Sequence, residues 1–310
     1  MDFTFKVESI YKFMTQNMNK YQAIVVLGIG LIAISFASIF IKLCDAPSLV
    51  IAAYRLTIAS LFYIGFTRIR SGSIISAYSP SQIKIVLLSG FFLAIHFATW
   101  ITSLEYTSVA SSVVLVETGP IFVAIGSFLF LREKPSKLMI LGITIAFIGS
   151  VIISVHDFSI DRNSLLGNLL ALCGAISVAG YLLAGRKLRA TIDTFRYVTA
   201  VYTVAALFLI LFAVINGESL IGYSPQTYIL LVLIALIPQV IGHTTLNWAL
   251  KYFSATAVAV IILGEPVGAS ILAVIILAEK LGFVKIVGGI VILSGVMIAI
   301  WSENRAKKAA

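Results

Sequence analysis

The chain has 310 residues, of which 60% are hydrophobic and only 11% charged, with a formal net charge of +9. Soluble domains carry about 25% charged residues, so this composition excludes an ordinary aqueous globule. The basic excess does not indicate nucleic acid, because no loop concentrates both cations and stacking aromatics.

In chain order, the first segment, residues 1–21, lacks an uninterrupted apolar stretch followed by a small-residue cleavage site and reads as a cytoplasmic N-terminal segment. Phe3, Phe5, Val7, Ile10, Tyr11 and Phe13 would let it lie on a membrane surface. A solvated tail is the equal alternative, and Met14 or Met18 offers another start. A bilayer crossing needs about 20 mostly apolar residues. Ten stretches meet or approach that length: Ala23 to Ile41, Pro47 to Thr67, Ile83 to Leu104, Val109 to Leu131, Leu138 to Val155, Leu165 to Gly185, Tyr197 to Ile215, Tyr228 to Leu250, Ala255 to Ala278 and Val284 to Trp301. Backbone groups in hydrocarbon must bond within their own segment or close a barrel, and apolar runs without strict alternation select helices.

The chain also repeats itself. Thr99 to Ile152 slides without a gap onto Thr245 to Ile298, matching Leu104 with Leu250, Tyr106 with Tyr252, Ser108 with Ser254, Pro120 with Pro266, Glu133-Lys134 with Glu279-Lys280, Gly142 with Gly288 and Gly149 with Gly295. The expected fold is an all-α polytopic membrane protein with ten transmembrane helices in two five-helix repeats, residues 22–156 and 164–302, followed by a cytoplasmic tail, 303–310. Five is odd, so the second copy enters the bilayer inverted, an arrangement of many secondary transporters whose site lies near the midplane.

Cytoplasmic loops are enriched in Lys and Arg. With the N-terminus inside, only Lys42, Arg162, Lys280 and Lys285 of the 22 basic residues fall outside, and Arg55 falls within a span. Both termini are therefore expected in the cytoplasm. Cys44 and Cys173 stand far apart and read as small apolar fillers. His96 and His243 occupy different spans while His156 is in an external loop, so no metal set, nucleophilic triad or phosphate loop stands out.

What remains is a group of polar residues that the bilayer makes expensive, and ionisable groups in spans are functional candidates by default. Arg55, Glu117 and Glu265 would line a central cavity or form an internal ion pair. Pro266 has no N–H for the carbonyl of Ile262 and its ring crowds that turn, so Gly264-Glu265-Pro266 sets a carboxylate beside a kink. Thr118-Gly119-Pro120 is the counterpart in the first half, with its glutamate displaced to Glu117. His96, Thr99, Trp100 and Ser103 share one face of the third span, and Gln239, His243 and Asn247 share one face of the eighth with Trp248 close by. These stripes line a cavity or serve as interhelical glue, and Trp100 and Trp248 would serve as cavity aromatics or interfacial anchors. Tyr54, Tyr181 and Tyr202 lie within spans without a readable direction. Glycines seven apart, Gly142 and Gly149 and again Gly288 and Gly295, mark close-packing faces on the fifth and tenth spans, for scaffold or dimer contact, leaving the cavity to the other eight.

The chain resembles the EamA-domain branch of the drug/metabolite transporter superfamily over nearly all of Ile24 to Trp301. The resemblance rests on Ala46-Pro47 leading to Tyr54-Arg55, Thr118-Gly119-Pro120-Ile121-Phe122 before Leu131-Arg132-Glu133-Lys134, Gly264-Glu265-Pro266-Val267, Ala278-Glu279-Lys280 and Gly288-Gly289. It implies ten helices, a cavity formed by spans one to four and six to nine, and alternating access. Arg55 and Glu265 match positions typical of the family, whereas Glu117 and His96 look particular to this chain. Family members move amino acids, other metabolites, sugars, nucleotide derivatives or drugs. The expected function is export or exchange of a small polar metabolite, an amino acid or related amine foremost, across an inner membrane by alternating access. A proton coupled through Glu265 or a histidine, a monomer or homodimer, and no cofactor complete the expectation. A channel lacks a repeated ring of filter residues, and a membrane-embedded enzyme lacks a convergent set of acid, base or metal groups.

Overall fold

The structure, a computed structural model, describes residues 20–71, 78–107, 109–154, 164–278 and 282–309. The N-terminal segment with Met14 and Met18, for which a membrane-surface or tail reading was open, Ser108, the stretch holding His156 and Arg162, and Glu279-Lys280 lie outside the described residues. Nine helices among the described residues are long and apolar enough to cross a membrane, and a shorter apolar one joins them.

The first three spans are single helices, Lys20–Leu43, Ser48–Ser71 and Pro80–Tyr106. The third starts at a capping box, in which Ser79 and Gln82 each satisfy the other's backbone N–H and Pro80 occupies the first turn. The fourth span is broken into Val109–Val116 and Gly119–Gly126, and then widens into a π turn, Ser127–Leu131. Lys137–Ser154 forms the fifth, Ser164–Arg189 the sixth and Thr194–Ile215 the seventh. The fifth has 18 residues, which at 1.5 Å per residue gives about 27 Å and nearly crosses the ~30 Å hydrocarbon layer.

The eighth span passes from Pro225–Ile234 through a nine-residue π segment, Ala235–His243, into Thr244–Ala249. Pro238 lies inside that segment, where a missing N–H and a bulky ring favour a wider turn. The ninth is split into Ala255–Ile262 and Glu265–Leu277, and Phe283–Ala309 is the tenth. Large apolar side chains point outward over most of these helices, among them Ile32, Leu61, Leu129, Phe130, Leu165, Leu207, Ile275 and Ile290, as expected of a lipid-facing surface.

Packing sets the first span against the eighth, the third against the sixth, the second against the seventh and the fifth against the tenth; the fourth lies mainly on the sixth and the ninth mainly on the first, with a smaller contact between fourth and ninth. The closest approach is between the fifth and the tenth. A Cβ on Gly142 would meet the Gly295 carbonyl at 2.8 Å, and one on Gly149 would meet the Gly288 carbonyl at 2.8 Å. Residue numbers rise along one helix as they fall along the other, so the two run antiparallel. The glycine faces are thus filled within the chain and are not left for a dimer contact, because the backbones touch where a side chain would stand.

Candidate functional site

Both half-broken spans break at a proline turn, and a carboxylate stands at each break. In the fourth span, Glu117 and Thr118 form the turn before Pro120, and the Thr118 hydroxyl donates to the Leu115 carbonyl at 2.6 Å. In the ninth, Leu263 and Gly264 form the turn, Glu265 opens the next helix and Pro266 lies in its first turn. The turns close with shorter bonds, Thr118 N to Leu115 O at 3.2 Å and Gly264 N to Ile261 O at 3.0 Å. The Glu265 backbone carbonyl accepts a bond from Ser35 of the first span at 3.2 Å.

Glu117, Glu265, Pro120 and Pro266 line one cavity of about 860 Å³ together with Arg55, His96, Trp100 and His243. Its walls are mostly apolar, with Ile34, Ile51, Val116, Val123, Val178, Leu246 and Ile262 among them. Lys42, Ser48, Glu105 and Lys285, all at helix ends on one side of the bundle, line it as well. The cavity therefore runs from that side to the middle of the spans. Concave, largely apolar pockets with a few convergent polar groups are the usual form of a small-molecule site.

The polar groups inside it are incompletely satisfied. Arg55 is 1% exposed. Its Nε donates to Gln239 Oε1 at 2.7 Å, its guanidinium carbon lies 4.1 Å from the centre of the Phe97 ring, and its Nη1 has no protein partner. Phe97 also meets the His243 ring edge-on at 5.3 Å, so one aromatic face positions two of the site's cationic or basic groups. Glu117 is 8% exposed, and its Oε2 has no partner. Among the described residues, Arg55 is not within salt-bridge distance of either glutamate, so no direct Arg–Glu contact locks the helices together. His96 Nδ1 lies 3.0 Å from the Gly174 carbonyl. A carbonyl only accepts, so Nδ1 carries a proton. The His96 and Trp100 rings lie nearly parallel, 9° apart, and the Trp100 indole N–H is unpartnered.

The other residues singled out from sequence do not line the cavity. Thr99 donates to the Ile95 carbonyl at 2.8 Å. Ser103 is buried against Ser112 at 2.6 Å. Gln239 is spent on Arg55. Asn247 is fully buried, accepting from Tyr181 at 2.7 Å and donating to Tyr202 at 3.1 Å. Trp248 is also buried, its ring 4.8 Å from that of Tyr252, so it is neither a cavity aromatic nor an interfacial anchor. In the eighth span the physical reason is phase. A stripe drawn with a 3.6-residue period does not survive the π segment that contains Gln239 and His243. Tyr54 reaches away to the Leu220 carbonyl at 2.8 Å. Conversely, Ile153 of the fifth span and Lys285 of the tenth do touch the cavity, because those helices close its rim at one end.

Sequence reasoning missed several lining residues. Ser38 and Lys42 lie on the first span, and Ser35, Ser38 and Lys42 stand at helical spacing, a stripe that was readable. Cys44 lines the mouth as well, while Cys173 is exposed on the outer surface. A buried cation was also missed. Arg189 is 2% exposed and bonds the carbonyls of Asn247 and Ile192 and the hydroxyl of Thr194.

At the opposite end, side-chain bonds tie the spans together. Arg186 of the sixth span donates to Glu133 at 3.0 Å and to the Leu250 carbonyl at 2.8 Å, tying together the ends of the fourth, sixth and eighth spans. Glu303 of the tenth accepts from the backbone and the hydroxyl of Ser254, the ninth span's N-cap, at 2.9 and 2.8 Å. Among the described residues no three His, Cys, Asp or Glu side chains come together as metal ligands.

A multi-pass membrane protein with a largely apolar cavity, holding a few polar groups and entered from one side, is thus the class that fold and site define. The family model of the EamA-like transporter family matches the chain twice, over residues 21–155 and 165–301, and the chain belongs to that family of membrane transporters. It is 26% identical to an uncharacterized transporter of Archaeoglobus fulgidus, over 87% of this chain and 94% of that one. It is 22% identical to the uncharacterized transporter YxxF of Bacillus subtilis, over 91% and 90%. A protein of known crystal structure shares the fold with a TM-score of 0.77 at 17% identity, covering 93% of this chain and 99% of that one.

Proposed function

We propose that this transporter moves a small polar metabolite, an amino acid or a related amine, across an inner membrane by alternating access between two inverted five-helix repeats. The observation that carries the reading is the cavity itself. It holds a guanidinium N–H and a carboxylate oxygen, each without a protein partner, against apolar walls that suit the rest of a small solute. An α-carboxylate would meet Arg55 Nη1, an ammonium would meet Glu117 or Glu265, and Trp100 would contact an apolar part.

The inverted arrangement is supported by the pairing of spans. Exchanging first with sixth, third with eighth and fourth with ninth converts the first–eighth contact into the sixth–third contact and the fourth–sixth contact into the ninth–first, and the remaining pairs map onto themselves. The antiparallel fifth and tenth helices agree with it, as do the left-handed residues Arg132 and Ala278, with φ of 57° and 53°, at the ends of the fourth and ninth spans. Lys and Arg bias puts both termini in the cytoplasm. The mouth at Lys42, Glu105 and Lys285 then faces outward, and the Arg186–Glu133 closure is the cytoplasmic gate. Glu265, His96 and His243 are the groups that would carry a coupled proton.

The test is counterflow in proteoliposomes loaded with unlabelled amino acids, following labelled ones from outside against protein-free vesicles. Saturable accumulation supports the reading. Its absence with folded protein redirects the search to sugars, nucleotide derivatives and drugs.

A further inference from the structure

We infer that the solute carries more positive than negative charge, as a basic amino acid does, with one carboxylate and two cationic groups; this rests on the amino-acid reading above. In the deep part of the cavity two carboxylates, Glu117 and Glu265, face one guanidinium, Arg55. Among the described residues neither glutamate has a cationic side chain within salt-bridge distance. Arg55 is bonded to Gln239 through Nε and seated on Phe97. Its remaining Nη1 and Glu117 Oε2 are both buried and unpartnered.

The other ionisable groups that face the space do not alter the count at depth. His96 donates Nδ1–H to the Gly174 carbonyl and lies nearly parallel to Trp100, so that N–H is spent on the sixth span and does not reach either glutamate. His243 is edged by Phe97. Lys42, Lys285 and Glu105 stand at the mouth, where Glu105 accepts from the Ser48 hydroxyl at 2.5 Å and its backbone N–H at 3.3 Å, and where water screens them.

An uncompensated carboxylate at membrane depth is strongly disfavoured. A neutral amino acid satisfies Arg55 and one glutamate and leaves the second carboxylate bare or holding a proton. A solute with a second ammonium or a guanidinium satisfies all three groups at once. The cavity of about 860 Å³ accommodates the longer side chain this requires.

Counterflow with single labelled solutes tests the inference, using lysine, arginine and ornithine beside leucine, phenylalanine and glutamate. Basic solutes should accumulate at least about 10-fold above neutral ones, since an unpaired buried charge discriminates strongly. Glu117→Gln and Glu117→Asp, checked for folding by size-exclusion profile, separate charge from shape. The Gln variant should lose the preference for basic solutes, and the Asp variant should keep it. Accumulation of neutral amino acids alone, or of both classes equally, would overturn the charge inference while the amino-acid reading stood. Accumulation of none would overturn both.

Discussion

Arg55 and Gln239 are joined across the second and eighth spans by a 2.7 Å bond from Nε to Oε1, and Gln239 is fully buried. A neutral amide thus orients the guanidinium without cancelling its charge, so Nη1 remains available at the cavity. Gln239→Leu should destabilise the protein by about 1.5–3 kcal/mol, the range for a hydrogen bond to a charged group, read as a lower thermal unfolding temperature in detergent. Gln239→Glu should preserve folding but weaken transport, because the new carboxylate would pair with Arg55 in the solute's place.

The Arg186 latch predicts a coupled effect at the far end of the molecule. Arg186→Ala removes the bonds to Glu133 and to the Leu250 carbonyl and should favour opening at that end. Alternating access then requires the mouth lined by Cys44 to close more often. The rate of Cys44 modification by a membrane-impermeant reagent should fall in the variant; an unchanged rate would argue that the two ends move independently.

Cys44 also supplies a pH prediction. Burial, and after it the Asp45 carboxylate, pushes the Cys44 thiol up to about 11. The thiolate is the reactive form, so maleimide labelling should be slow at pH 7 and rise roughly tenfold per pH unit as the thiolate fraction grows. Mass spectrometry of labelled protein, with Cys44→Ser as the control, gives the rate.

The antiparallel glycine contact should tolerate no side chain. A Cβ at position 295 would lie 2.4 Å from the Ala146 backbone nitrogen and one at 149 would lie 2.6 Å from the Ile292 nitrogen. Backbone atoms cannot step aside as a flexible side chain can, so Gly295→Ala or Gly149→Ala should cost about 1–3 kcal/mol as overpacking. Reduced monodisperse yield and a lower unfolding temperature are the expected readings. Gly28→Ala, which meets nothing within 4 Å, should leave both unchanged.

Much of this architecture was legible because it rests on composition and repetition. Hydrophobic length located the crossings, and the match of Thr99 to Ile152 with Thr245 to Ile298 pointed to paired breaks at Pro120 and Pro266. The same match aligns Arg132 with Ala278, yet nothing in an arginine or an alanine announces a left-handed conformation. Of the cavity's lining, the groups whose burial is costly, Arg55, Glu117 and Glu265, were legible, with His96, Trp100 and His243, whereas Thr99 and Ser103 on the same regular helix as His96 bond elsewhere. The directions of Gln239 and Asn247 in the eighth span were not legible, since the π segment turns Gln239 toward Arg55 and leaves Asn247 among Tyr181 and Tyr202. Phe97, an unremarkable apolar residue in the sequence, becomes the platform under Arg55 only through packing.

The most direct measurement is counterflow by wild-type protein and Glu265→Gln, reconstituted in parallel at two pH values. The account predicts saturable accumulation by the wild type, and a folded variant that has lost either transport or its pH dependence. A folded Glu265→Gln protein with full accumulation and an unchanged pH profile would contradict the role assigned to this carboxylate at the centre of the cavity.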